Sequence, residues 1–312
     1  MEFFKILKKK KFNQVIRQYI RCHVLFFAIF QTLLNGFSRK SMEITRQAIN
    51  NKILKKLRSK NKKFIKQFVE KNDFKDKPHE ISNKIWVAWF QGEENAPILV
   101  KKCLESIRSN FPDREVVILT EDNFKEYVDI PEYILNKLKK GYITYTHFSD
   151  ILRLELLSKY GGTWIDATVL ITSKDVPEFI MNSDLFMYQI LKPGLDGHPT
   201  RISSWFMTAS TNNCIIELTR ALLYRYWKKK KFLMDYFLIH DFIELAIERY
   251  PEEWNKVVPV SSEIPHILLM HINETFEEGL WENINLLTPI HKLSYKICDE
   301  EKENTFYKKI ID

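Results

Sequence analysis

Glycine and proline are scarce in this chain, 8 and 11 among 312 residues. That excludes collagen-like and other Gly/Pro-rich polymers and implies that most of the chain is ordered. Cysteine is scarcer still. Cys22, Cys103, Cys214 and Cys298 stand far apart with no CxxC pair, which excludes a zinc ribbon or disulfide framework and fits a reducing compartment. Neither HExxH nor GxSxG occurs, so zincin proteases and α/β-hydrolase esterases drop out. No apolar run reaches the roughly 20 residues that a bilayer span requires. The nearest, VLFFAIFQTLLNGF at Val24–Phe37, is too short, and no small-x-small cleavage site marks it as a secretory signal.

Acidic residues are missing from one end. Residues 1–70 hold 18 Lys/Arg against 3 Asp/Glu, while the other 242 hold 30 against 37. A basic arm is thus joined to a mildly acidic body, and the arm alone asks for an anionic partner, lipid or nucleic acid. Met1–Arg21 is basic and amphipathic, with Phe3, Phe4, Ile6, Leu7, Phe12, Val15, Ile16 and Ile20 as its apolar positions. Followed by Val24–Phe37, it reads as helix lying in a membrane interface with lysines on the headgroups. The plainer alternative is that these apolar residues pack on the body. Nucleic acid is disfavoured as a partner, because the body is net negative and carries no RNP-like aromatic pair, zinc finger or recognition-helix pattern. The expected division is a basic helical extension over 1–77, with 1–40 as a surface anchor, and one α/β domain over 78–312.

In the extension, Leu54, Leu57, Phe64, Ile65 and Phe68 recur at near-helical spacing. In the body, Lys84–Phe90 (KIWVAWF) and Glu115–Leu119 (EVVIL) read as buried strands flanking a helix over Ala96–Asn110. Strand–helix–strand at this spacing implies a parallel pairing. Helices are expected over Pro131–Gly141, Thr146–Tyr160, Asn213–Trp227 and Asp235–Arg249, and strands over Trp164–Ile171 (interrupted by a polar step), Leu185–Leu191 and Trp205–Ala209.

The densest chemistry lies in FSDILRLELLSKYGGTWIDATV, Phe148–Val169. Asp150 and Arg153 sit three apart on a helix and so share a face. Gly161-Gly162 stop the helix and turn the chain. A strand follows and delivers Asp166 to its carboxyl end, where open α/β sheets bind ligands. Each piece alone has a bland reading: a surface ion pair, a cap, a turn residue. The order and spacing together are far more specific.

This stretch resembles the DXD-type glycosyltransferases related to initiating α-mannosyltransferases and glucosylating toxins, and looks closest to the capsular polysaccharide synthesis protein family. IWVAWFQG (Ile85–Gly92), CLESIRSNFPDREVVILTEDN (Cys103–Asn123), SSWFMTAS (Ser203–Ser210), DYFLIH (Asp235–His240) and HKLSYK (His291–Lys296) resemble further family landmarks. The resemblance covers roughly residues 84–297. It implies a GT-A-like α/β fold, one nucleotide-binding mixed sheet flanked by helices. It also implies a nucleotide-diphosphate sugar donor, by resemblance uridine-linked, transfer with retention, and a Mn²⁺ or Mg²⁺ cofactor. The acceptor is expected to be a glycan or lipid-linked precursor of a bacterial surface polysaccharide, handled in the cytoplasm at the inner face of the membrane.

A metal bridging the leaving diphosphate stabilises charge where it develops, and hard cations take oxygen ligands. In this reading Asp166 holds the cation, with Thr168 and His291 as further ligands. Asp150 and Arg153 hold the ribose and order the loop. Trp89 and Gln91 meet the base and ribose, Lys292 and Lys296 bind the diphosphate, and Trp205 either stacks on the sugar or packs in the core. Asp235 is either a helix N-cap or a group facing the acceptor or anomeric carbon. His240 and Asp241 are weaker candidates, and His266 and His271 are expected in the core. Lys228–Lys231 reads as a solvated run, or as a guide for an anionic acceptor.

One departure weakens the metal expectation. The motif's second Asp is replaced in Asp166-Ala167-Thr168 by a hydroxyl, a poorer ligand for a divalent cation. The alternative function is a non-catalytic membrane-associated scaffold that kept a transferase fold.

Overall fold

The computed structural model describes residues 15–74, 77–191 and 199–312. The amphipathic segment proposed for Met1–Arg21 therefore falls largely outside the described residues. Near the N-terminus lie α1 (Leu25–Asn35) and the long α2 (Arg39–Lys71). The body runs β1 (Lys84–Ala88), α3 (Ile98–Asn110), β2 (Glu115–Leu119), α4 (Glu132–Lys139), α5 (Tyr145–Tyr160), β3 (Gly162–Ile165) and β4 (Val169–Ile171). It continues with β5 (Leu185–Gln189), β6 (Ile202–Ala209), α6 (Cys214–Lys229), α7 (Leu238–Arg249), α8 (Glu278–Leu287), β7 (Ile290–Lys292) and α9 (Phe306–Ile311).

The main sheet has the order β2-β1-β3-β6-β5. β2, β1 and β3 are parallel, while β6 runs antiparallel to β3 and to β5. This is the expected mixed α/β sheet flanked by helices. Side chains alternate across its plane. Trp86, Trp164, Met187 and Met207 face a core shared with α5, α6 and α7. Ile85, Val87, Ile165, Phe186 and Phe206 face a second core shared with α3. Burial of both faces explains why the strands read as unbroken apolar runs.

The N-terminal helices belong to the first core. Ile49, Ile53, Leu54 and Leu57 are buried in it, and Arg58 donates to Glu248 of α7 at 2.8 Å. α1 is different. Ala28 points inward, but Phe26, Ile29, Phe30, Leu33, Leu34 and Phe37 form one exposed stripe, with Phe26 88% and Phe37 77% accessible. No helix among the described residues is long and apolar enough to cross a membrane.

Two local features position the site. Gly161 and Gly162 both adopt positive φ, +66° and +96°. A Cβ on Gly162 would lie 2.4 Å from the Lys84 carbonyl oxygen, so the turn needs glycine for space as well as for torsion. The polar step expected to interrupt the strand over Trp164–Ile171 divides it into two strands in different sheets. β3 ends at Ile165, the chain turns through Asp166-Ala167-Thr168, and β4 pairs antiparallel with β7 in a separate small sheet. The polar step is the corner between the sheets, and β7 is thereby carried to the end of β3.

Candidate functional site

At the carboxyl end of β3 lies a cleft of about 360 Å³. Its walls include Asp150 and Arg153 of α5, Asp166, Ser204 and Trp205 of β6, Tyr236, His240, His266 and Lys292. Arg153 is 3% exposed and bridges two carboxylates: Nη1 donates to Asp150 Oδ1 at 3.0 Å and Nη2 to Asp166 Oδ1 at 3.2 Å. Its guanidinium carbon lies 4.8 Å from the centre of the Trp164 ring, and Trp164 Nε1 donates to Asp166 Oδ1 at 3.0 Å. Lys292 Nζ donates to Asp166 Oδ2 at 3.1 Å and to Thr168 Oγ1 at 2.6 Å. Burial alone would raise the Asp166 carboxyl, but Lys292 and Arg153, with the Trp164 N–H, hold it below the usual aspartate value.

The helix face behind this cluster has its own support. Trp227 Nε1, which can only donate, donates a hydrogen bond to His147 Nε2 at 2.8 Å. The imidazole proton is thereby assigned to Nδ1, which lies 3.2 Å from Asp150 Oδ2. His147 carried no sequence signal, because its partner is 80 residues away. Asp150 is thus bonded by Arg153 on one side and lies against the His147 ring on the other.

Asp150, Arg153, Asp166, Thr168 and Lys292 come together, and Trp205 lines the same cleft. One face of Trp205 is stacked on Tyr188, 4.6 Å between centroids, which matches the core-packing alternative more nearly than sugar stacking. Gln91 lines a neighbouring cleft of about 590 Å³ with Gly92, Arg108, Glu121 and Asp122, at the ends of β1 and β2.

Other expectations are corrected. His291 does not reach Asp166. Strand alternation turns Lys292 to the cleft and sends its neighbour inward, where His291 is fully buried and its Nε2 lies 2.9 Å from Asn285 Oδ1 and 3.2 Å from Thr172 Oγ1. Burial lowers its pKa from 6.5 to about 4. Asp235 is also outside the cleft. Its Oδ1 accepts from the Phe237 N–H at 2.7 Å just before α7, and the side chain is buried beside Arg46 and Asn50 of α2. Burial raises its pKa, and its turn role matches the capping alternative more nearly than the acceptor one.

Trp89 lines neither cleft; its ring meets Tyr295 edge-on at 5.7 Å. Lys296 lies on the turn Tyr295–Ile297, its ammonium 5.7 Å from the Tyr295 ring, and does not line the cleft. His266, expected in the core, is in the cleft wall, where Nδ1 donates to the Ser262 carbonyl at 2.7 Å. His271 is not core either and pairs with Glu274 at 2.5 Å. His240 also lines the cleft, with Nε2 2.9 Å from Ser204 Oγ.

The donor set fits a divalent cation poorly. Hard cations want several oxygen ligands, chiefly carboxylates. Among the described residues no three His, Cys, Asp or Glu side chains converge on one point. At the motif itself a single carboxylate is present, and an ammonium already stands between it and the hydroxyl of Thr168.

Residues 32–310 match the family described as capsular polysaccharide synthesis protein. The chain belongs to that family. Over 99 residues it is also 33% identical to the O-glycosyltransferase braB of Annulohypoxylon truncatum, a match covering 29% of this chain and 24% of that protein. The chain therefore corresponds to about a quarter of that relative's length. Among solved structures, the PaToxG glycosyltransferase aligns over 85% of this chain and 96% of its own, with 16% identity and a TM-score of 0.38.

Proposed function

We propose that the protein is a glycosyltransferase that moves a sugar from a nucleoside diphosphate donor to a glycan or lipid-linked precursor of a surface polysaccharide. Family membership and the name of the sequence relative support the reaction class. The observation that carries the site is the convergence of Arg153 and Lys292 on Asp166 in a cleft at the carboxyl end of β3. Such a place suits a diphosphate, whose charge needs fixed cations and N–H donors. In this reading the base and ribose extend towards the Gln91 cleft.

The reaction breaks the bond between the anomeric carbon and the phosphate oxygen, and the electron pair leaves on the nucleoside diphosphate. The acceptor hydroxyl oxygen forms the new bond, and its proton passes to the departing diphosphate. Arg153 and Lys292 stay protonated and stabilise the leaving charge. Both carboxylates in the wall, Asp150 and Asp166, are ion-paired and so are poor general bases, which favours retention with the leaving group as base.

The exposed apolar stripe of α1, beside a chain segment rich in lysine and poor in acid, supports docking on an anionic membrane surface, by our reading the inner face of the cell membrane. The enzymatic test is a panel of uridine and guanosine diphosphate sugars, with released diphosphate read by mass spectrometry for the wild type and Asp166→Ala. Turnover of one donor, lost in a folded Asp166→Ala protein, is expected. Normal turnover in that variant would defeat the site assignment, and failure of every diphosphate nucleoside to bind would favour a non-catalytic scaffold.

A further inference from the structure

We propose that the Lys292 ammonium takes the place of the divalent cation at this site, so that donor binding and turnover need no metal. The inference rests on the nucleotide-sugar reading above and adds to it the identity of the charge that meets the diphosphate. Lys292 is opposite Val169 in the β4–β7 register, immediately past the motif. The Leu293 N–H donates to the Thr168 carbonyl at 2.8 Å, which clamps the two segments together at that point. Nζ is then within hydrogen-bond reach of both Asp166 Oδ2 and Thr168 Oγ1. It sits where a cation would sit if both motif side chains were carboxylates.

The exchange is chemically coherent. A carboxylate at position 168 would add charge that a divalent ion could neutralise. A hydroxyl there leaves one negative charge for Lys292, while Arg153 balances Asp150. A metal entering this cluster would sit against an ammonium and a guanidinium, and like charges at such distances repel strongly. An ammonium has three protons, and Asp166 and Thr168 accept two. The third can be given to a diphosphate oxygen, and no proton need be transferred. Lysine is a compact point charge on a flexible stem, able to follow the phosphate as the bond breaks.

The test uses the full chain. Uridine and guanosine diphosphate are titrated calorimetrically in EDTA and in Mn²⁺, the donor panel is run under both conditions, and free Mn²⁺ is followed by electron paramagnetic resonance. For the wild type, affinity and turnover should change less than about twofold between EDTA and Mn²⁺. Loss of a charge-assisted contact in Lys292→Ala should lower diphosphate affinity by on the order of tenfold or more. The double variant Thr168→Asp/Lys292→Ala should bind Mn²⁺ where the wild type does not, and recover diphosphate affinity only with Mn²⁺. Tenfold or greater dependence of the wild type on Mn²⁺ would overturn the proposal and leave the transferase reading standing. No diphosphate binding under either condition would overturn both.

Discussion

Replacing Arg153 with methionine should cost about 3 kcal/mol of stability. Arg153 is 3% exposed and holds two carboxylates at once. Removing one partner of a buried ion pair typically costs about 3–5 kcal/mol, because the remaining charge loses its compensation. Here the stranded groups are partly relieved. The Asp166 side chain is 30% accessible and keeps Lys292, while the Asp150 side chain retains 13% accessibility. The low end of the range therefore applies, and methionine retains much of the stem that packs on Trp164.

The assay is urea unfolding at pH 7 for the wild type, Arg153→Met, Asp150→Asn and the double variant. The double-mutant cycle should show coupling of roughly 1–2 kcal/mol, since removing the aspartate charge removes part of what Arg153 was compensating. The acid limb should move as well. Asp166 has a lowered pKa, so its contribution is full above the ordinary aspartate value and is lost as pH falls through the lower folded value. Without Arg153 the folded value rises towards the ordinary one, so the window narrows from its acid end and less stability is lost across it. A loss under about 0.5 kcal/mol with an unchanged m-value, or no coupling, would refute the bridging role.

Buried neutral His291 makes stability fall with acid. Its pKa drops from 6.5 to about 4 on folding, so the unfolded chain binds the extra proton between those values, and about 3 kcal/mol should be lost as pH falls across them. His291→Gln should flatten that part of the pH–stability curve, and an unchanged slope would contradict the assignment. Gly162→Ala should destabilise by about 2 kcal/mol or more, since the added carbon meets the Lys84 carbonyl oxygen at 2.4 Å in a left-handed backbone; thermal unfolding would check it. Phe30→Ser/Leu33→Ser, both on the exposed stripe of α1, should reduce flotation with phosphatidylglycerol vesicles several-fold while leaving the melting temperature nearly unchanged. Equal flotation would argue against membrane docking by this helix.

How much was legible follows from sequence distance. The Asp150, Arg153 and Asp166 grouping lies within one helix–turn–strand unit, and helix geometry plus the Gly-Gly turn was enough to bring it together. The strands of the main sheet were legible because burial of both faces leaves a continuous apolar run. The polar interruption of Trp164–Ile171 was legible, but the change of sheet was not, because β4 takes β7 as its partner and pairing choice leaves no local mark. The exchange of roles between His291 and Lys292 comes down to one register step in a three-residue strand, and a slip of one residue flips every side chain. His147 and His266 owe their placement to Trp227 and Trp205, contacts across long stretches of chain. Asp235 read equally as a helix cap or as a group facing the acceptor, and only its long-range neighbours on α2, Arg46 and Asn50, separate the two.

The most direct test of the central claim is a crystal structure of the protein with a bound nucleoside diphosphate. The two phosphates should lie in the cleft at the end of β3, with Lys292 Nζ and the Arg153 guanidinium as their nearest cations. Phosphates bound only in the Gln91 cleft, or anywhere remote from Asp166, would contradict it.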